Sequence, residues 1–144
     1  MTSDTEFTAE ERAAMKERAR ELKAGARRKG RPDRAEVEAE VRAKIAEMAE
    51  ADRLLADRIH SLVLEAAPEL VPRLWYGMPA YAKDGKVVCF FRDAGKFKER
   101  YSMFGFNDAA ALDEDGMWPT SYAVTTLSPE IEARIAELVR RAVG

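Results

Sequence analysis

The chain predicts an α+β fold of two layers, an antiparallel sheet covered on one side by N- and C-terminal helices. Three observations lead there. Asp84-Gly85 stands between Tyr81-Ala-Lys83 and Lys86-Val-Val88, and Asp-Gly flanked by strand-forming residues is the strongest short-range signal of a β-hairpin. Eleven of the twelve aromatic residues lie between positions 75 and 122, whereas residues 1–64 hold 14 acidic and 14 basic side chains and one ring, Phe7. Helical spacing of apolar residues marks 33–66 before that ring-rich stretch and 129–143 after it.

The first helix is expected to start at Thr8, where Thr8-Ala-Glu-Glu11 has the form of a capping box. Its apolar stripe is thin, only Met15, Ala19, Leu22 and Ala26, so it needs the domain or a partner to hold it. Arg27, Arg28 and Lys29 suit the negative end of the helix dipole, and Gly30 and Pro32 stop the helix. Asp33 caps the next helix, whose stripe runs Val37, Val41, Ile45, Met48, Leu55, Ile59, Leu62 and Ala66. Asp52 puts a charge where that stripe wants a methyl, so a break near 49–52 is expected, with Asp52 capping the new helix. Pro68 and Pro72 end regular helix, and Glu69 to Trp75 reads as a short helical turn closed by Gly77.

Counting outward from the Asp84-Gly85 turn sets Ala82 against Val87, Tyr81 against Val88 and Ala80 against Cys89. One face then carries Ala80, Ala82, Val87, Cys89 and Phe91 beneath the helices, and the other Tyr81, Val88 and Phe90. Asp93-Ala-Gly-Lys96 reads as a loop, Glu99 to Phe106 as a strand, Asn107 to Leu112 as a short capped helix and Asp113 to Gly116 as a turn. Thr120 to Thr126 has the β-branched content of a strand. Ser128 and Pro129 open a closing helix, with Ile131, Ile135, Leu138, Val139 and Ala142 on one face. The expected division is an accessory helix and basic linker over 1–34, then one α+β domain over 35–144.

Composition narrows the partners. With 24 Lys and Arg against 26 Asp and Glu there is no global field to draw nucleic acid or an anionic membrane. Lys23, Arg27, Arg28, Lys29, Arg31 and Arg34 form the one basic run, without interleaved aromatics, which suits a solvated helix end. One cysteine excludes an internal disulfide and fits a reducing cytoplasm. Met1 to Glu6 lacks the basic start and apolar run of a signal peptide, and no apolar stretch approaches the roughly 20 residues of a membrane span. The expectation is a cytoplasmic protein.

Trp75-Tyr-Gly-Met-Pro-Ala-Tyr81, Asp84-Gly-Lys-Val87 and Phe104-Gly-Phe106 together resemble the YdhG-like family over about residues 40–143. The family is largely a domain of unknown function. The resemblance implies a helix-flanked antiparallel sheet comparable to frataxin and, from members regarded as intracellular iron chaperones, a possible cargo of iron. No motif carries frataxin's acidic ligand positions onto this chain, so the metal ligands stay open. One His and one Cys cannot build a nitrogen or sulfur site, and carboxylates would have to serve: Glu36 with Glu40, Glu10 with Glu17, or Asp113-Glu-Asp115. Basic neighbours such as Arg34, Arg42 and Lys44 make a solvated helix face the simpler account of these acids.

The second functional reading is a binding module on an aromatic sheet face. Trp75, Tyr76, Met78, Tyr81, Phe90, Trp118 and Tyr122 would line a shallow groove, with Lys86, Lys83 or Arg100 orienting a small anionic or aromatic ligand. Rings filling the core of a small sheet are the plainer account of the same residues. No enzyme is expected. His60 and Ser61 are adjacent, so their side chains diverge by about 100° on a helix and cannot form a nucleophile–base pair. His60 reads as a helix-surface residue and Cys89 as a buried, inert thiol.

Overall fold

The computed structural model describes residues 7–27 and 33–144. Its elements run α1 (Ala9–Arg27), α2 (Arg34–Ala46), α3 (Glu50–Ala66), β1 (Val71–Trp75), β2 (Met78–Lys83), β3 (Lys86–Arg92), α4 (Ala94–Phe97), β4 (Ser102–Phe106), β5 (Ser121–Val124) and α5 (Pro129–Ala142). The five strands form one antiparallel sheet in the order β1-β2-β3-β4-β5. The α+β class and the antiparallel sheet are as expected from sequence.

Helix starts follow the capping residues. Thr8 and Glu11 exchange side-chain and backbone hydrogen bonds at 2.9 and 3.0 Å, the reciprocal capping box. The Asp33 carboxylate accepts from the Ala35 N–H, and Ser128 Oγ accepts from the Ile131 N–H, with Pro129 at the first position of α5. The basic residues 28–31 and the stop signals Gly30 and Pro32 lie outside the described residues.

Several local expectations are corrected. Glu69 to Trp75 is not a helical turn: Val71–Trp75 is edge strand β1, where Pro72 is tolerated because one side of an edge needs no N–H donor. Tyr76 and Gly77 form its two-residue connection to β2, both at positive φ (52° and 74°), the signature of a primed hairpin turn. A short helix, α4, replaces the loop after Asp93, whose carboxylate caps it through the Lys96 N–H. Asn107 to Leu112 forms a turn rather than a helix, with the Ala110 N–H donating to the Asn107 carbonyl at 3.0 Å.

The 84–85 hairpin is present, with Asp84 and Gly85 at φ 52° and 79°. Its register holds for only one turn. Ala82 pairs with Val87 as expected, but a bulge between Tyr81 and Ala82 then sets Tyr81 against Cys89 and Ala80 against Phe90. One extra residue, Val88, exchanges the faces of everything beyond it. Tyr81 therefore shares a face with Cys89, Phe91, Phe104 and Phe106. That face meets the main core, completed by Val41 and Ile45 of α2, Ile59 and Val63 of α3, and Ile135 and Val139 of α5. The opposite parity carries Trp75, Met78 and Phe90. These join a second, smaller cluster with Ala14 of α1 and Phe97 of α4.

Asp52 corrects another expectation. The break between α2 and α3 is present, but Ala49 occupies the cap position and Asp52 is buried at 8 % exposure in the first turn of α3. Its carboxylate accepts from the Gly95 N–H at 2.9 Å and the Ser102 hydroxyl at 3.1 Å, tying α3 to α4 and β4. His60 is likewise buried rather than on the helix surface, its Nδ1 2.9 Å from the Tyr81 hydroxyl and its Nε2 3.2 Å from Glu38. Cys89 is buried as expected, and burial pushes its thiol well above the ordinary range. No helix among the described residues is long and apolar enough to cross a membrane.

Candidate carboxylate-binding turn at Tyr76–Gly77

The side chains named from sequence do not line one groove. Trp75, Tyr76 and Met78 come together, with Phe90, in the second cluster. Tyr81 is fully buried in the main core on the other sheet face. Lys86 is exposed at the hairpin tip and Arg100 is exposed beside Tyr101. Trp118 packs at the edge of the main core.

What assembles around Trp75 to Met78 is a site for carboxylates. Two consecutive residues at positive φ turn their backbone N–H groups to the same side, a concavity suited to an anion. Glu21 of α1 fills it: its two carboxylate oxygens accept from the Tyr76 N–H at 3.1 Å and the Gly77 N–H at 2.9 Å. The Arg18 guanidinium, 3.4 Å from the same carboxylate, also sits over the Tyr76 ring, 5.7 Å from its centroid. Close by, Glu17 pairs with Lys96 at 3.0 Å and Lys44 at 3.1 Å, while Lys96 donates to the Gly77 carbonyl at 3.3 Å. A Cβ at Gly77 would meet the Glu17 carboxylate and the Lys96 ammonium, flexible side-chain ends that can move aside, so it is the φ of 74° that favours glycine here.

Apart from Arg18 of α1, charge divides this site into two sides. The body of the domain supplies cations and N–H donors: Lys44 from α2, Arg73 from β1, Lys96 from α4 and the 76–77 turn. The first helix supplies the acids. Burial opposes ionisation of Glu17, but hydrogen bonds from Lys96 and then Lys44 outweigh it and hold the carboxyl below its ordinary value. Lys44 is raised by its Glu17 contact against the opposing effect of burial. Arg73 is pulled down by burial and then by the like charge of Arg18, with the Glu21 carboxylate opposing in part. Beside these charges the rings are half-buried: Trp75 meets Tyr76 edge-on at 5.1 Å and Phe90 at 5.2 Å.

The rings Trp75 and Tyr76 and an anionic ligand were legible in the sequence; the donors were not, because they are the Tyr76 and Gly77 backbone N–H groups, which carry no residue signature, rather than Lys86 or Arg100. The Tyr-Gly pair following a strand was the available signal. Phe90 completes the surface only because Gly105 opposes it. A Cβ there would stand 2.5 Å from the ring tip.

A second concavity, of about 170 Å³ and open to solvent, lies between β5 and α5. It is bordered by Phe104, Tyr122, Val124, Ile131, Ile135 and Leu138, with Arg134 over the Tyr122 ring at 5.4 Å. Among the described residues no group of three or more His, Cys, Asp or Glu side chains is arranged to hold a metal ion. Comparison of the chain with protein-family models, with curated proteins and with solved structures finds no match to any of them.

Proposed function

We propose that this chain is a YdhG-like binding domain that recognises carboxylate-bearing ligands with an apolar or aromatic body at the Trp75–Met78 surface. The observation that carries the reading is the two-point seating of the Glu21 carboxylate on the Tyr76 and Gly77 N–H groups. An internal acid there has the chemistry of the ligand, and α1 holds the site in cis. Lys44, Arg73 and Lys96 add charge that favours an anion, and the half-buried Trp75, Tyr76 and Phe90 offer stacking area. The same proposal takes the fold as a two-layer, frataxin-like arrangement. In support, α2, α3 and α5 all contribute to the core on one sheet face. The iron-chaperone expectation has the Trp75–Tyr81 motif behind it and no ligand cluster, so the carboxylate-binding reading stands first.

The test frees the site in the full chain. In a Glu17→Gln/Glu21→Gln protein carrying Trp118→Phe, Trp75 is the sole tryptophan reporter. Phenylacetate should shift its emission saturably, and benzyl alcohol, which lacks the carboxylate, should not. Equal responses to acid and alcohol, or none to either, would sink the reading.

A further inference from the structure

The last strand of the sheet has an open edge. β5 pairs with β4 and with no other strand among the described residues. The Phe106 N–H donates to the Thr120 carbonyl at 2.7 Å, which makes that opposed couple a hydrogen-bonded pair. Alternation then makes Phe104 with Tyr122, and Ser102 with Val124, bonded pairs as well, and turns the N–H and C=O of Ser121 and Ala123 away from the sheet. Both residues are exposed. Such an edge is ordinarily blunted by charge, by proline or by a covering element. Ser121-Tyr-Ala-Val124 has no charge and no proline.

Alongside that edge runs the groove between β5 and α5. Tyr122 and Val124 share the parity of Phe104 and look toward Ile131, Ile135 and Leu138 of α5. A strand added outside β5 would send alternate side chains into the same space. The groove's single cation, Arg134, is exposed and has no carboxylate within ion-pair distance among the described residues. By contrast, Arg58 and Arg140 pair with the α5 residues Glu132 and Glu137.

We propose that β5 and α5 form a peptide-docking site in which an extended segment of a partner protein adds as a sixth strand. Backbone groups of Ser121 and Ala123 bond the segment's main chain. Its inward side chains, two residues apart, are apolar except for one Asp or Glu, which meets Arg134. The backbone pairing supplies affinity and the acid supplies register. This surface is separate from the carboxylate turn at Tyr76–Gly77, which lies on the opposite sheet parity and at the other edge.

The full-length protein tests this with capped hexapeptides of alternating Ile and Thr, carrying one Glu at each inward position in turn, and the matching Gln peptides. The expected result is saturable binding with amide shifts at Ser121 and Ala123. One Glu position should bind about tenfold tighter than its Gln counterpart. Arg134→Gln should erase that difference while leaving the melting temperature unchanged. Ala123→Pro removes an outward N–H that no bond among the described residues uses and should abolish binding by the whole set. The proposal is overturned if no peptide binds, or if Glu and Gln peptides bind alike to the native chain. It is also overturned if sedimentation shows a dimer that Ala123→Pro dissolves without peptide binding, which would give the edge to a second copy. Hexanoate binding equally well to native and Ala123→Pro protein, with no peptide effect, would make the groove a small-ligand cavity and overturn it too.

Discussion

Asp52 shows how a single position can look misplaced in a sequence and be well satisfied in a fold. Its carboxylate is buried, yet both oxygens accept hydrogen bonds, one from a backbone N–H and one from a hydroxyl. Replacing it with Asn keeps the shape but leaves one oxygen for two donors: the amide N–H faces the Gly95 N–H or, turned over, the Ser102 hydroxyl, which then loses its acceptor. Leaving a buried donor unsatisfied costs roughly 1–3 kcal/mol, so Asp52→Asn should lower unfolding free energy by about that amount in urea titration. The nearby Asp93 has the opposite problem. Its Oδ1 is buried without a partner among the described residues, and burial together with the charge of Asp52 raises its carboxyl above the ordinary value. Along α3 the buried row is Asp52, Ala56, Ile59, His60, Leu62 and Val63, which keeps Ile59 and Leu62 of the apolar stripe that periodicity picks out and widens it on one side. Two members of that row are polar, and their partners lie 21 and 50 residues away in the chain. Hydropathy spacing cannot see partners at that distance.

At the scale of elements, α1 and β1 were the least legible. β1 contains Pro72 and follows Pro68, and both suggest a chain leaving a helix rather than entering a strand. What makes 71–75 a strand is the Tyr76-Gly77 turn that folds it onto β2. The first helix is unusual in the residues it docks through. Met15 and Leu22 of its expected stripe are exposed, at 37 % and 57 %, and the buried contact is Ala14 flanked by Glu10, Glu17, Arg18 and Glu21. Its attachment is therefore largely electrostatic. The screening length contracts from about 10 Å at 0.1 M salt to about 3 Å at 1 M. Raising NaCl over that range should strip hydrogen-exchange protection from the α1 amides while those of α3 and β3 keep theirs. Equal protection at both salt concentrations would show that Ala14 and its apolar neighbours hold the helix unaided.

For the molecule as a whole, the sheet's existence and its ring-rich character were readable from one Asp-Gly pair, and which rings face which layer was not. The bulge at Tyr81 is an insertion of one residue with no sequence signature in Val87-Val88-Cys89, and it moved Tyr81 from the presumed groove into the core. There it meets His60, and the pair makes global stability depend on pH. Burial lowers the folded His60 pKa below its ordinary 6.5, with Glu38 opposing only in part. Below that ordinary value the unfolded chain takes up a proton that the folded one refuses, so stability is complete above pH 6.5 and declines as pH falls toward the folded value. Glu38, held low chiefly by its His60 contact, loses stabilisation in the same direction in more acid solution. Chemical denaturation of His60→Gln between pH 7 and 5 should give a flatter profile than the native chain. Parallel profiles would remove His60 from the account.

Glu21 sits on the same polypeptide as the turn it occupies, with only six residues between Arg27 and Arg34. An acid tethered within the same chain competes at an effective concentration on the order of millimolar. Under the carboxylate-binding proposal, free ligands must outbid this resident decoy, so screens on the intact chain would understate affinity and pass over weak binders altogether. Neutralising that one side chain would convert a muted receptor into a responsive one.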